Sequence, residues 1–309
     1  MRVRKVVSLF LAASILGWTG LVAACGGSNA TDTSGGSEPA STATSAPQAQ
    51  ASGPTPTPAT IAAPQEVTFQ SGDLTLAGFL YRPTGSGPFP AILYNHGGEK
   101  LPGDKNAVAQ VFVKAGYVVF VPHRRGQGRS PGPYIQDQLG AERQARGAQA
   151  QNALFISLHE GPQLSDQMAA LDYLKRQIFV NPNRIAVVGC SYGGIQTILA
   201  AERGAGLRAA VAFAPGAQSW AAVPQLRDRL LQATSAINIP VFLLQAENDF
   251  DLTPTKALAA EFQRLGKPFT HKIFPPYGTS NADGHGGFCS NGGDVWGTEV
   301  LAFLSQNLK

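Results

Sequence analysis

The stretch Gly189-Cys-Ser-Tyr-Gly193 places a serine midway between two glycines, directly after the apolar run Ile185–Val188 and before a helical pattern. Two kinds of nucleophile, Cys190 and Ser191, stand side by side there. A G-x-S-x-G turn between strand and helix lifts its central side chain above a sheet, and it needs glycine two residues before and after to avoid a clash. The glycines centre the turn on Ser191; centring it on Cys190 would require glycine at Val188 and Tyr192. Ser191 is therefore the expected nucleophile of an acyl transfer. The string by itself recurs by chance in glycine-rich chains, so its strand-turn-helix context carries the argument.

A serine hydroxyl is a poor nucleophile until a base takes its proton, and an acid must orient that base. In a turn of this kind the acid and then the histidine come later in the chain, each in a loop after a strand. Of five histidines only His271 and His285 lie late enough. His271 falls inside the strand pattern Phe269–Phe274, whereas His285 sits in Asn281-Ala-Asp-Gly-His-Gly-Gly287, a loop before the last helix. His285 is the expected base. For the acid, the strand Val241–Gln245 runs out into Ala246-Glu-Asn-Asp-Phe-Asp251. Asp249 is nearer the strand end and is the expected acid; Asp251 is placed to cap the helix that begins near Pro254, and Glu247 ranks behind both. The tetrahedral intermediate also needs N–H donors. One is the backbone of Tyr192, and the other is Gly98 or Glu99, in the loop Asn95-His-Gly-Gly-Glu99. His96 reads as structural, because His96 with Glu99 finds no third metal ligand at suggestive spacing. The chemistry calls for no cofactor and no metal.

These residues need a sheet to hold them. Glu66–Gln70 and Leu74–Arg82 alternate apolar and polar residues around Ser71-Gly-Asp73, which is hairpin chemistry. Beyond them come short apolar runs at Ala91–Tyr94, Tyr117–Val121, Ile185–Val188, Ala209–Phe213, Val241–Gln245 and Thr270–Phe274, as in strands covered on both faces. Helical patterns alternate with them at Asn106–Ala115, Leu164–Gln177, Ile195–Arg203, Thr255–Leu265 and Val295–Gln306. That alternation predicts an α/β domain over 65–309, with a mostly parallel sheet and helices on both faces. The Gln- and Ala-rich segment 133–161 breaks the rhythm and reads as a small cap-like helical insertion over the site.

Asn95-His-Gly-Gly98, Arg124-Arg-Gly-Gln-Gly-Arg-Ser130, Gly189-Cys-Ser-Tyr-Gly-Gly194, Glu247-Asn-Asp249 and Gly284-His-Gly286, in this order, resemble the α/β-hydrolase superfamily. The nearest branches are the dienelactone-hydrolase-like and acyl-peptidase-like ones. The resemblance runs from about Gly87 to the C-terminus and implies the α/β-hydrolase fold, with an eight-stranded sheet and hydrolysis through an acyl-serine. Two departures limit it: dienelactone hydrolases proper carry cysteine where this chain has Ser191, and acyl-peptidases usually carry a propeller domain for which this chain has no room. Arg124, Arg125 and Arg129 either bind a substrate carboxylate or tie their loop to the scaffold. Tyr192, Trp220 and Leu154-Phe-Ile156 are candidates for an apolar pocket wall or for core packing. A fold that unites Ser191 with His285 also brings Cys190 near Cys289, leaving two alternatives: a disulfide, or two free buried thiols.

At the N-terminus, Arg2, Arg4 and Lys5 precede an apolar run from Val6 to Ala24, the layout of an export signal. Val22-Ala-Ala-Cys25 resembles the lipobox of a bacterial lipoprotein, which implies cleavage before Cys25, acylation of its thiol and an extracytoplasmic protein anchored to the membrane. Residues 25–64 are then a disordered Ser/Thr/Pro/Ala-rich linker. Removing the three cations of segment 1–24 leaves 21 of the 24 Lys and Arg against 20 Asp and Glu, a balance of +1. Nucleic-acid binding, which needs a basic footprint, gains nothing from that balance. The expectation is a serine hydrolase of small-molecule esters, with cleavage of short peptides or acyl-amino acids as the enzymatic alternative. A surface binding lipoprotein that kept the fold and lost the chemistry is the alternative from another class.

Overall fold

In the computed structural model, which describes residues 63–309, the strands form one eight-stranded sheet in the order β1-β2-β4-β3-β5-β6-β7-β8. The expected signal segment, Cys25 and nearly all of the expected linker lie outside the described residues. No helix among the described residues is long and apolar enough to cross a membrane.

β1 (Gln65–Ser71) and β2 (Leu74–Tyr81) form the expected antiparallel hairpin, turned at Gly72, whose φ of 56° suits a residue without Cβ. β2 then runs antiparallel to β4 (Val118–Pro122). From β4 onward every pairing is parallel: β4 with β3 (Phe89–Asn95), β3 with β5 (Val180–Cys190), then β6 (Ala209–Phe213), β7 (Val241–Ala246) and β8 (Phe269–Phe274). All parallel strands therefore end at one edge, where the expected site residues lie.

Alternate residues of each central strand feed two separate cores. Ala91, Leu93, Ile185 and Val187 face one, while Ile92, Tyr94, Ala186 and Val188 face the other. On the first face pack α3 (Pro162–Lys175), α4 (Tyr192–Arg203), α5 (Pro224–Ala236) and α6 (Thr253–Arg264), through Leu171, Leu199, Leu230 and Leu258. On the second pack α1 (Asn106–Lys114), α7 (Phe288–Asn291) and α8 (Gly293–Asn307), through Phe112, Phe288 and Trp296. Each of these fully buried side chains stabilises the fold by about 2 kcal/mol, so either face alone would leave half the sheet's apolar surface in water.

The segment 133–161 is helical, as expected, but it is broken. α2 (Ile135–Glu160) contains Gly147 at φ 84°, so two helices meet at a kink. Two elements differ from the sequence reading. α5 was not anticipated, because Arg227, Asp228 and Arg229 interrupt its pattern and only Leu226, Leu230, Ala233 and Thr234 are buried. The loop expected around His285 is wound into a π-helical turn, Asp283–Gly287.

Candidate active site

Ser191 stands between β5 and α4 with φ 58° and ψ −114°, a conformation that costs a non-glycine residue of the order of 1–3 kcal/mol. The flanking glycines explain how the turn closes. A Cβ at Gly189 would run into the Gly193 carbonyl, and a Cβ at Gly193 into the Asn95 carbonyl of β3. Tyr192 is the first residue of α4, so its N–H has no intrahelical partner and is free to donate.

Asp249 lies past the end of β7, and His285 on the π-helical turn. Both are buried, and Nδ1 of His285 lies 2.8 and 3.0 Å from the two carboxylate oxygens of Asp249. With Nδ1–H donating to Asp249, the lone pair sits on Nε2. That atom is buried and has no hydrogen-bond partner among the described residues. Ser191 and His285 line the same cavity, of about 310 Å³, without a hydrogen bond between them. Such a gap is usual before substrate arrives. Asp251 accepts the Thr253 N–H (2.8 Å) at the start of α6, Glu247 is exposed, and His271 is a side chain of β8.

The loops carrying Asp249 and His285 are knitted together by residues that sequence reasoning passed over. Asn248 accepts the Tyr277 N–H (2.9 Å) and donates to the carbonyls of Tyr277 (3.0 Å) and Ser280 (2.9 Å). Asn281 donates to the Asn248 and Asp249 carbonyls. Asp283 accepts from Ser280 and from the N–H groups of Thr279 and Ser280, and these bonds hold its carboxyl below the usual range. A Cys190–Cys289 disulfide, with Cα atoms 6.0 Å apart, ties the residue before Ser191 to α7, just after the histidine turn.

Opposite the histidine, the loop Asn95–Glu99 forms the other wall. The Tyr134 hydroxyl donates to the Gly98 carbonyl (2.6 Å), and Arg124 donates to the carbonyls of His96 (3.0 Å) and Gly97 (2.5 Å). Glu99 forms an ion pair with Lys105 (2.5 Å). Burial raises the Glu99 carboxyl, but Lys105 and the backbone N–H of Glu99 itself outweigh it, so the group titrates below its ordinary value. Burial and then Arg124 drive the His96 imidazole well below its ordinary value.

Of the three loop arginines, none lines the cavity. Arg124 is buried on backbone carbonyls, Arg125 makes a two-point pair with the buried Asp166, and Arg129 pairs with Glu66. Of the expected wall residues only Tyr192 lines the cavity; Trp220 and Phe155 are buried in the core, and Leu154 and Ile156 pack against it. The insertion docks on the serine turn, and its Gln136 lines the cavity. Phe155 stacks on His159 (4.3 Å), His159 meets Tyr192 (4.9 Å), and Gln136 Nε2 donates to the Tyr192 hydroxyl (2.9 Å). Lys105, Tyr94, Gln136, Gln218 and Ser290 line the cavity without having been singled out, since nothing in their spacing marks them. No group of three or more His, Cys, Asp or Glu among the described residues is arranged to hold a metal.

The sequence profile of the dienelactone hydrolase family matches residues 76–283, from β2 to the histidine turn. The chain belongs to this family. Its eight-stranded, mostly parallel sheet is that of the α/β-hydrolase fold. It is 30% identical over 157 residues to the quorum-quenching protein AidA of Acinetobacter baumannii (strain MDR-ZJ06), a stretch that is 50% of this chain and 44% of that protein. Among solved structures it resembles the acylaminoacyl peptidase of Pyrococcus horikoshii, with a TM-score of 0.62 at 18% identity over 80% of this chain and 42% of that one. It also resembles an esterase of Pyrococcus furiosus, with a TM-score of 0.58 at 16% identity over 80% of this chain and 92% of that one. These two likenesses concern the fold, and the chain spans less than half of AidA and of the peptidase.

Proposed function

We propose that the protein is a serine hydrolase that cleaves ester-like bonds of small substrates through an acyl-serine. The observation that supports it most is His285: Nδ1 is fixed on the Asp249 carboxylate, Nε2 is buried and unpartnered, and the residue lines the same cavity as Ser191. In the first step the Ser191 Oγ bonds to the acyl carbon, its proton passes to His285 Nε2, and the carbonyl π pair moves to oxygen. The N–H groups of Tyr192 and Gly98 receive that oxyanion. Gly98 packs directly against Tyr192, where a Cβ would come within 3.2 Å of the ring, and that favours Gly98 over Glu99 as the second donor. Collapse of the intermediate expels the alcohol, which takes the proton from His285, and water repeats the sequence to release the acid.

The cavity is small and has no Leu, Ile, Val or Phe in its wall, while Lys105, Glu99, Gln136 and Gln218 line it, so only part of a long acyl chain would gain the ~0.8 kcal/mol per buried methylene that an apolar wall gives. Short, polar acyl groups fit it best. Acylation at Cys25 would hold the enzyme on the outer side of the membrane, where the Cys190–Cys289 bridge suits an oxidising compartment.

The test is hydrolysis of p-nitrophenyl acetate, butyrate and octanoate by the full chain and by Ser191→Ala, beside matched amides. Loss of acetate hydrolysis in the variant supports the reading, and unchanged hydrolysis overturns it. Faster cleavage of the amides would reassign the enzyme as a peptidase or amidase. Labelled palmitate incorporated by the wild type and not by Cys25→Ala tests the anchor; equal incorporation or none in both removes it.

A further inference from the structure

Arg124 is a buried cation that no carboxylate contacts directly among the described residues. Only 3% of it is exposed, and its donors go to Gln127 Oε1 (3.1 Å), the His96 carbonyl (3.0 Å), His96 Nδ1 (3.2 Å) and the Gly97 carbonyl (2.5 Å). Among the described residues it forms no ion pair with a carboxylate within 4.0 Å. Its neighbour Arg125 shows the usual arrangement, a fork on the carboxylate of Asp166, whose oxygens also serve Ser71 and the Arg125 N–H. An unpaired buried charge is costly, so its retention beside a site calls for a reason. Burial lowers the Arg124 guanidinium to about 10, which still leaves it charged at neutral pH.

The reason lies in the peptide it touches. In a trans peptide the C=O and N–H point in opposite directions. Arg124 grips the carbonyl of Gly97, so the N–H of the same peptide, that of Gly98, is turned away from the guanidinium. Gly97, Gly98 and Ser191 line the same cavity, while Arg124 does not. The guanidinium therefore sits behind the peptide whose N–H serves the oxyanion. The Tyr134 hydroxyl fixes the next carbonyl, that of Gly98, from the insertion (2.6 Å).

We infer that Arg124 is the positioning residue of the oxyanion site: it orients the Gly97–Gly98 peptide toward Ser191, and its positive charge polarises the Gly98 N–H toward the acyl oxygen. The inference rests on the acyl-serine reading above. The substrate carbonyl is neutral before attack and carries a full negative charge in the intermediate. A cation held behind the donor therefore stabilises the transition state more than the bound substrate and acts on kcat more than on KM.

The experiment compares full-chain wild type, Ser191→Ala, Arg124→Met and Arg124→Lys on p-nitrophenyl acetate. Inhibition by phenylboronic acid, which forms a tetrahedral anion on the serine, is measured alongside, with thermal melts as the check on folding. Arg124→Met should lower kcat about 100-fold with KM within threefold, and the boronate inhibition constant should rise in step. Arg124→Lys, which keeps the charge and loses the fork, should recover about tenfold over Arg124→Met. If Arg124→Met does not fold, Arg124→Lys decides alone: kcat down about tenfold at constant KM, with weaker boronate binding, supports the inference. Either variant folded with kcat within threefold of wild type, while Ser191→Ala is inactive, overturns the role of Arg124 and leaves the acyl-serine reading standing. A fall in kcat without change in boronate affinity overturns it too, as a purely structural effect. Activity retained in Ser191→Ala brings down both.

Discussion

On one side of Ser191 the His285 turn is fastened by the Cys190–Cys289 bridge, by the Asn248 and Asn281 side chains, and by Asp249 itself. On the other side the Gly97–Gly98 peptides are held by Arg124 from the loop after β4 and by Tyr134 at the start of α2. Both flanks fix a loop at the carboxyl edge of the sheet, with different parts. On the proposed acyl-serine reading, a base must keep one nitrogen presented while its charge changes, and a covalent tie with a carboxylate that accepts the imidazolium would serve that need. On the same reading, a hole for an oxyanion must offer fixed dipoles before the charge exists, and backbone N–H groups held through their neighbouring carbonyls would serve that need. The difference teaches that the proton-handling flank is built from ionisable side chains, and the charge-receiving flank from peptides with side chains behind them.

Removing the acid breaks the histidine flank most. Asp249→Asn should lower kcat on p-nitrophenyl acetate by about 10³–10⁴, because the amide leaves His285 free to take the wrong tautomer. A kcat within tenfold of wild type would show that Asp249 does not orient the base. The covalent tie should matter less to chemistry than to stability. Cys190→Ala with Cys289→Ala opens a connection between residues 99 apart, which should cost about 3–5 kcal/mol in denaturant unfolding. It should lower kcat roughly tenfold by loosening the His285 turn. Both thiols alkylated in the non-reduced wild type would rule the bridge out.

On the oxyanion flank, Tyr134→Phe removes one grip and leaves Arg124. It should cost a few-fold in kcat and about 1 kcal/mol in stability, measured by steady-state kinetics and a melt. A loss as large as that of Asp249→Asn would make the two flanks equal in weight. The smallest effect concerns pH. Burial between Phe155 and Tyr192 pushes His159 down to about 4. The unfolded chain takes up that proton near pH 6.5, so stability should fall as pH drops from about 6.5 to about 4 and then level off. His159→Phe should flatten this part of a melting-temperature-against-pH curve; an unchanged slope would place the effect in other groups, such as His96.

The two flanks were also unequally legible. Asp249, His285 and Cys289 announce themselves by residue type, and chain order after a G-x-S-x-G turn leaves few choices for the first two. Parallel strands read clearly because their apolar runs are short and bounded, and Ile185–Val188 proved to be the inner half of a longer β5. The oxyanion flank showed only its glycines. Arg124 and Tyr134 act from 27 and 36 residues away, across β4 and the entry to the insertion, and one side-chain type in a basic loop says nothing of which carbonyl it reaches. α5 escaped because charged residues mask its narrow buried stripe, and the glycines around His285 give no local sign that Asp283–Gly287 winds into a helical turn.

The account stands most directly on Ser191 as the nucleophile. Full-chain protein treated with a fluorophosphonate and mapped by mass spectrometry should carry one adduct, on Ser191 in the peptide that also contains Cys190, and Ser191→Ala should carry none. No adduct on the folded wild type, or an adduct that persists in Ser191→Ala, would contradict it.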